Sequence, residues 1–266
     1  MDVFRFAAGD TPLLVSMPHV GTYVPPDIAA RMSEAASGVP DTDWHVDRLY
    51  DFLEDLGASV IAATHSRYAI DLNRAPDGAP LYPGASETEL CPTTSFDGLP
   101  LYKEGQAPDD DEVAARRESL WRPYHDRLRA ALDDLRQRHD VVILWDAHSI
   151  RSQVPRFFEG RLPDLNLGTA GGTTAAADLI ARIEPVLSDA APAFSHVVDG
   201  RFKGGYITRR YGRPEEARHA LQLELSQITY MDESPPFGFR EDLAAGIRPV
   251  LRRLLEAVIV WAEETA

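Results

Sequence analysis

The chain has 266 residues and a hydrophobic content of 44%, which suffices for one large α/β domain or two small ones and argues against global disorder. Its 27 basic side chains face 42 acidic ones, and the net charge of -15 argues against a nucleic-acid partner, because no basic surplus exists to neutralise phosphates. An anionic substrate therefore needs a local cationic pocket.

Three features of the sequence predict a soluble, cytoplasmic protein with no membrane partner. A single cysteine, Cys91, rules out an intramolecular disulfide and suits a reducing compartment. Residues 1–10 lack the basic start and apolar core of an export signal. The sequence contains no run of about 18 apolar residues that would span a bilayer.

The first predicted strand covers residues 12–17, and His19 follows at its exit. A loop that contains Gly21 comes next, and loops at strand ends often carry function. A lone histidine is also common as a structural residue, but this position favours a functional role for His19.

A helix is predicted from residue 42 or 43 to residue 56, with an apolar stripe on one side and Gly57 as its end. Asp43 and Asp47 are four residues apart and therefore lie on one face near its start. They fit two interpretations. One is a helix cap with an acidic residue that favours the helix dipole, and the other is an oxygen ligand of a metal site.

The next buried strand spans residues 58–63, and a segment rich in Arg, Asp and Asn follows. Arg67 and Arg74 flank alternating apolar residues, which predicts that they emerge at a strand edge or end. A planar guanidinium binds a carboxylate through two hydrogen bonds, so both arginines suit substrate capture. The alternative is a surface salt bridge, for example between Arg74 and Asp71.

Residues 75–110 show no period, and we predict a long loop there that could serve as a lid. A helix from residue 109 to residue 138 follows, with an interruption near Pro123 and with His125 predicted on its surface. This helix leads into the next strand and gives the alternation of an α/β fold.

Residues 141–145 form an apolar run without alternation, which is typical of a strand buried on both faces in a parallel α/β sheet. Asp146, His148 and Ser149 follow at once. They therefore lie at the strand end, where open α/β sheets bind their ligands. We predict that His148 is a metal ligand.

A short strand at residues 164–168 and a helix at residues 174–187 precede a basic segment at residues 197–212. The basic residues of that segment are Arg201, Lys203, Arg209 and Arg210. In so acidic a chain this cluster suits the capture of an anion, and the alternative is a solvated basic turn.

The last strand, residues 219–226, alternates leucines with polar residues, so that Glu224 points away from the apolar layer. Glu224 fits a general base that faces the crevice, and it also fits an ordinary solvent-facing glutamate. A helix at residues 241–263 closes the fold. The sequence contains neither a repeat nor a linker, and we predict one domain over residues 1–266.

Together these residues predict a metal-dependent hydrolase. Two histidines and one aspartate would supply three ligands and leave an open coordination position, and Glu224 would take the proton of the activated water. Such ligands accept zinc and other divalent transition metals.

Five motifs resemble those of the N-formylglutamate amidohydrolase family. They are Ser16–Gly21, Thr42–Asp47, Ser66–Arg74, Asp146–Ser149 and Lys203–Arg209, in family order, and the resemblance runs from about residue 12 to residue 235. It implies a zinc-dependent deformylase of histidine catabolism that cleaves N-formyl-L-glutamate to formate and L-glutamate. It also implies a distant kinship with zinc carboxypeptidases and aspartoacylases, and thus a single-domain, mixed and mostly parallel sheet flanked by helices.

One ligand motif departs from the pattern of those relatives. Their ligand pair is His-x-x-Glu, whereas Thr22 stands three residues after His19 in this chain. The carboxylate ligand must therefore come from elsewhere, and we expect Asp43 as the first choice and Asp47 as the second.

The resemblance also assigns the remaining site residues. An Asn-Arg pair holds a substrate carboxylate in the relatives, and Asn73-Arg74 is similar; a Glu-Leu strand motif holds their general base, and Glu224-Leu225 is similar. Beside Glu224, Arg74 is expected to be catalytic, since an arginine stabilises the oxyanion. Since the implied substrate carries two carboxylates, motif and charge further predict that Arg67 with Arg74 holds one of them and Arg209 with Arg201 the other, with hydrogen bonds from Tyr206 and Thr208.

Two other functions stay open from the sequence. An aspartoacylase-like amidohydrolase would use the same site on a larger acyl group. A metal-free protein that binds acidic metabolites would use the arginines, with the histidines as structural residues.

Overall fold

The computed structural model describes residues 1–81 and 86–265. Its centre is one seven-stranded sheet. The strands are β1 (Phe4–Ala7), β2 (Leu13–Met17), β3 (Ser59–Ala63), β4 (Val142–Ile150), β5 (Leu165–Gly168), β6 (His196–Val198) and β7 (Arg218–Ser226). Their spatial order is β1-β3-β2-β4-β7-β5-β6.

The four central strands, β3, β2, β4 and β7, run parallel to one another. β5 pairs antiparallel with β7 and parallel with β6, and β1 pairs antiparallel with β3 at the other edge. The predicted fold class, a mixed and mostly parallel α/β sheet, is confirmed.

The helices are α1 (Pro26–Ala29), α2 (Val46–Leu49), α3 (Asp110–Arg116), α4 (Arg122–Arg136), α5 (Ala177–Ala190), α6 (Tyr206–Tyr211) and α7 (Glu241–Thr265). A π-helical turn at Arg117–Trp121 joins α3 to α4, and 3-10 turns lie at Glu34–Ala36, Pro214–Glu216 and Gln227–Thr229. None of the described helices combines the length and the apolar character that a membrane span requires.

Helices cover both faces of the sheet. Leu13 and Val15 of β2 pack in one core with α5 and α7, whereas Leu14 between them packs in a second core with α4. Because neither face meets water, apolar side chains can occupy successive positions of a strand. The apolar run at residues 141–145 predicts this arrangement, and every residue of β4 is buried.

β4 is longer than its apolar run predicts. Its parallel pairing with β7 continues to Ile150, opposite Ser226, so Asp146, His148 and Ser149 are strand residues. The backbone of the polar cluster is therefore fixed by sheet hydrogen bonds, which hold its side chains more rigidly than a loop would.

The helix predicted over residues 42–56 is wrong in extent. Only Val46–Leu49 is helical, and His45 before it has a left-handed backbone with φ 61°. The backbone N–H of Asp43 donates to the carbonyl of His19 at 3.0 Å, which ties Asp43 to the exit of β2 instead of to a helix. Tertiary contacts override the local apolar period here.

Two details of the following region also differ from prediction. The break in the long helix is the π-helical turn, while Pro123 lies in the first turn of α4, where no backbone N–H is needed. His125 is buried and not on the surface. The described parts of the predicted loop, residues 75–81 and 86–109, contain no helix or strand, and residues 82–85 lie outside the described residues.

Candidate active site

Parallel strands that are neighbours in the sheet bring their C-terminal ends to one edge. His19, which follows β2, and His148 of β4 therefore meet there, with ring centroids 4.9 Å apart. Asp43 lies between them, with Oδ2 at 3.0 Å from His148 Nδ1 and 3.7 Å from His19 Nδ1. All three residues are buried, and their ligand atoms lie within 4.8 Å of one another. His19, Asp43 and His148 could thus hold one metal ion.

A further buried carboxylate fixes the outer nitrogen of each histidine. Asp71 Oδ1 lies 2.7 Å from His19 Nε2, and Asp146 Oδ2 lies 3.1 Å from His148 Nε2. An Nε2 that carries the proton and donates it to a carboxylate leaves the Nδ1 lone pair available to a metal. Both rings present Nδ1 toward Asp43, which is the arrangement that a metal requires.

The electrostatics of the cluster favour a positive charge. Burial opposes the ionised form of Asp43, but His19 and His148 outweigh this effect and hold the pKa of Asp43 well below its ordinary value. Burial also lowers the pKa of His148, yet Asp146 and Asp43 outweigh it and raise that pKa well above the ordinary value. The buried donor set of two imidazoles and a carboxylate fits a divalent transition metal.

Glu224 of β7 pairs in register with His148 of β4, so its side chain reaches the same edge of the sheet. It is 7% exposed, which excludes the interpretation of a solvent-facing strand glutamate. Burial raises the pKa of Glu224 to about 8. A carboxylate whose pKa is near neutral is suited to accept and return a proton.

Gln222 is a site residue that the sequence interpretation missed. Its Oε1 accepts a hydrogen bond from the Gly205 N–H at 2.6 Å, and its Nε2 donates to Glu224 Oε2 at 3.0 Å. The first bond fixes the orientation of the amide, so the second holds the carboxylate of Glu224 in one position. The sequence could have identified Gln222, because residues two apart in a strand share a face, and Gln222 lies two positions before Glu224.

A cavity opens beside the two histidines and Glu224. Its polar wall is formed by Arg67, Asn73, Arg74, Arg201 and Gln222, and its apolar wall by Leu81, Phe96, Ile150, Phe157 and Phe202. Cationic side chains thus surround a small space at the candidate metal site, as an anionic substrate requires in so acidic a chain.

Arg67 lies at the inner end of this cavity. Its Nη2 donates to Asp71 Oδ2 at 2.8 Å, and its Nη1 lies 3.6 Å from Asp43 Oδ1. Arg74 is half-buried, and its Nε donates to the Thr88 carbonyl at 3.0 Å. The alternative of a surface salt bridge between Arg74 and Asp71 is therefore wrong, because Asp71 is buried and its carboxylate contacts Arg67 and His19.

Asn73 lines the cavity, but its amide already forms hydrogen bonds within the protein. Its Oδ1 accepts the Ile207 N–H at 2.8 Å, and its Nδ2 donates to Asp146 Oδ2 at 3.4 Å. It also lies close to Gly205, where any Cβ would come within 2.3 Å of the Asn73 amide. Asn73 therefore supports the carboxylate that orients His148, and its contact with a substrate stays a prediction.

Four predicted site residues lie outside the lining of this cavity. Asp47 is on the surface, where its carboxylate accepts a hydrogen bond from Arg5 Nη2 at 2.7 Å, whereas Asp43 lies with the two histidines. Tyr206, Thr208 and Arg209 lie on α6, and the cavity lining does not include them. The Thr208 hydroxyl donates to Asp146 at 3.3 Å, and Arg209 Nε donates to the Gly204 carbonyl at 2.9 Å.

Comparison with known proteins shows which family the chain resembles. The family described as N-formylglutamate amidohydrolase matches residues 11–231. N-formylglutamate deformylases from Pseudomonas aeruginosa and Pseudomonas putida are 52% and 51% identical, over 99% and 98% of this chain and 98% and 97% of their own lengths. The crystal structure of N-formylglutamate amidohydrolase from Ralstonia eutropha JMP134 is similar, with a TM-score of 0.84, 25% identity and 100% coverage of both chains.

Proposed function

Because the chain belongs to the N-formylglutamate amidohydrolase family, whose curated relatives are deformylases, we propose that it hydrolyses N-formyl-L-glutamate to formate and L-glutamate, as a step of histidine catabolism. The observation that carries the proposal is the buried set of His19, Asp43 and His148 at the mouth of a cavity lined by arginines. Fold alone would not assign an activity, so the proposal rests on the composition of this site together with the family.

His19, Asp43 and His148 are the proposed metal ligands, and zinc is the proposed metal. The chemistry that such an ion supplies when bound is activation of water and polarisation of the formyl carbonyl. Asp71 and Asp146 orient the two imidazoles through their Nε2 atoms and thereby keep both Nδ1 atoms available.

Glu224 is the proposed general base. It accepts a proton from the attacking water and passes it to the leaving amine, so that glutamate departs with a neutral nitrogen. Gln222 holds the carboxylate in place during both transfers. Burial of Glu224 makes it a stronger base than an exposed glutamate would be.

Arg67 joins Arg74, the residue that the sequence predicts, as a proposed stabiliser of the oxyanion. The Arg67 guanidinium lines the cavity, and Nη1 lies 3.6 Å from Oδ1 of the proposed ligand Asp43. Arg74 and Arg201 lie further out along the cavity wall and are the proposed anchors of the two substrate carboxylates, with Asn73 beside them.

In this proposal, residues 1–266 act as one domain on a small, acidic N-acyl amino acid. The cytoplasm is the proposed location, because the single cysteine, Cys91, is a buried free thiol, which suits a reducing compartment.

The test is hydrolysis of N-formyl-, N-acetyl- and N-benzoyl-L-glutamate by purified protein, together with metal analysis. We expect bound zinc and a kcat/KM for the formyl compound that exceeds that for the acetyl compound by about 100-fold. A higher value for a larger acyl group would favour the aspartoacylase-like alternative. Tight binding of formylglutamate without metal or turnover would favour the binding protein.

A further inference from the structure

Arg156 does not line the cavity, but its side chain contacts residues that do, or that adjoin them. We call Ser86, Glu87, Phe96 and Phe157 the roof of the cavity, because all four line it and all belong to loop segments. The roof contains no helix or strand, so its shape depends on turn hydrogen bonds, such as that from the Phe157 N–H to the Val154 carbonyl, and on side-chain contacts.

The guanidinium of Arg156 donates hydrogen bonds to two separate chain segments, one within the roof and one directly before Phe96. Nε donates to Ser86 Oγ at 3.1 Å and Nη2 to the Glu87 carbonyl at 3.4 Å. Nη1 donates to Thr94 Oγ1 at 2.9 Å and to the Ser95 carbonyl at 2.6 Å. One planar group thus ties the segment at residues 86–87 to the segment at residues 94–95.

The contacted segments lead directly to the substrate arginines. Phe96 follows Ser95, and its ring centroid lies 4.8 Å from the Arg67 guanidinium. Phe157 adjoins Arg156, its ring lies 5.5 Å from that guanidinium, and its carbonyl accepts a hydrogen bond from Arg201 Nε at 2.6 Å. Displacement of the roof would therefore move the surroundings of both Arg67 and Arg201.

We propose that Arg156 is a positioning residue for substrate binding, which assembles the roof without touching the substrate. The identity of the substrate rests on the proposed function, whereas the clamp rests on the contacts above. The fork of donors on arginine reaches several acceptors in fixed directions, which a lysine cannot do. Two of the proposed metal ligands, His19 and His148, lie at the exits of β2 and β4, and Asp43 is held by His148, so loss of the clamp should spare all three.

The test compares Arg156→Met, which keeps the aliphatic length, with Arg156→Lys, which keeps the charge. Arg127→Met is the matched control, because Arg127 is also half-buried, stacks 3.7 Å from the Phe6 ring and pairs with Asp134. We expect KM for formylglutamate to rise about tenfold in Arg156→Met, with kcat within about threefold and the metal content unchanged. Arg156→Lys should show a smaller rise in KM, and Arg127→Met should show none.

Hydrogen exchange of the peptide spanning residues 86–98 gives a readout that does not depend on turnover. We expect faster exchange in Arg156→Met than in the wild-type chain, and wild-type exchange in Arg127→Met. An unchanged KM in Arg156→Met would overturn the role, and so would parallel losses of kcat and of melting temperature, which indicate general destabilisation. Absence of turnover in the wild-type chain would overturn the proposed function alone; the role of Arg156 would then be overturned only by unchanged exchange.

Discussion

Two groups of buried histidines in this protein have opposite kinds of partner. His19 and His148 each face buried carboxylates on both sides of the ring. His125 instead donates from Nε2 to the Leu72 carbonyl at 2.8 Å and stacks 3.7 Å from the Trp121 ring. The surrounding carboxylates raise the pKa of His148 well above its ordinary value, whereas burial lowers the pKa of His125 to about 4.

The comparison shows that the chemistry of the partners, and not burial, decides what a histidine can do. All three rings are almost fully buried. Carboxylates attract a cation to the space between the first two rings, whereas burial without a hydrogen-bonded carboxylate keeps the third ring neutral, against the opposing effect of its hydrogen bond to the Leu72 carbonyl. We therefore expect substitutions in the two groups to change different properties of the protein.

The largest expected effect is that of His148→Ala. We expect loss of the bound metal and a fall in kcat/KM on the order of 10³-fold or more, because a ligand and its orientation by Asp146 disappear together. His125→Gln is the matched control and should keep both metal and turnover. The measurements are metal analysis and formate release. A His148→Ala protein that is fully active and metal-loaded would show that His148 is not a metal ligand.

Next in size is Glu224→Gln, which keeps the shape of the side chain and removes the base. We expect kcat to fall by about 10² to 10⁴, with the metal content unchanged, since Glu224 is not one of the proposed ligands. Steady-state kinetics of the zinc-loaded protein is the measurement. An unchanged kcat would remove Glu224 from the role of base.

A smaller effect is expected from Asp71→Asn, which keeps the size of the group behind His19 but removes its charge. Metal affinity should fall by about 10 to 100-fold, as for other carboxylates that orient a ligating histidine. Competition with a chelator measures it. Asp47→Asn, on the surface beside Arg5, is the control and should bind metal like the wild type. Equal metal affinity of the two variants would show that the charge of Asp71 does not affect metal binding.

The sequence predicts the sheet, and brings the candidate metal ligands to one edge of it, because both depend on local patterns. Apolar runs mark β2, β3 and β4, and His19 and His148 lie at or just after the ends of two of these runs. Parallel pairing then brings the ends together, although the residues are far apart in the chain. The choice between Asp43 and Asp47 required tertiary information, because the predicted helix would have placed both on one face, whereas the turn before α2 directs only Asp43 inward.

Other differences have different physical causes. Tyr206, Thr208 and Arg209 are predicted from the charge and polarity of their segment, and the structure places them on the short helix α6, outside the cavity lining. His125 was placed on the surface because it is polar. Its spacing of three and seven residues from Leu128 and Leu132, both buried, is nevertheless that of a core face.

The smallest predicted effect concerns His125 and the stability of the protein against acid. The folded pKa of about 4 lies below the ordinary 6.5, so the unfolded chain binds more protons between these values. Stability is thus fully present above pH 6.5 and is lost as the pH falls toward 4. Between pH 7 and pH 5.5, the contribution of this histidine to the free energy of unfolding should fall by about 1 kcal/mol.

Urea unfolding of chelator-treated protein measures this effect without interference from metal release. His125→Gln has no titrating group, so we expect the free energies of unfolding of wild type and variant to converge by about 1 kcal/mol as the pH falls from 7 to 5.5. A constant difference between the two proteins would mean that His125 accepts a proton in the folded state as readily as in the unfolded one. Burial would then not keep His125 neutral, and the pKa values of His125 and His148 would not be shifted in opposite directions.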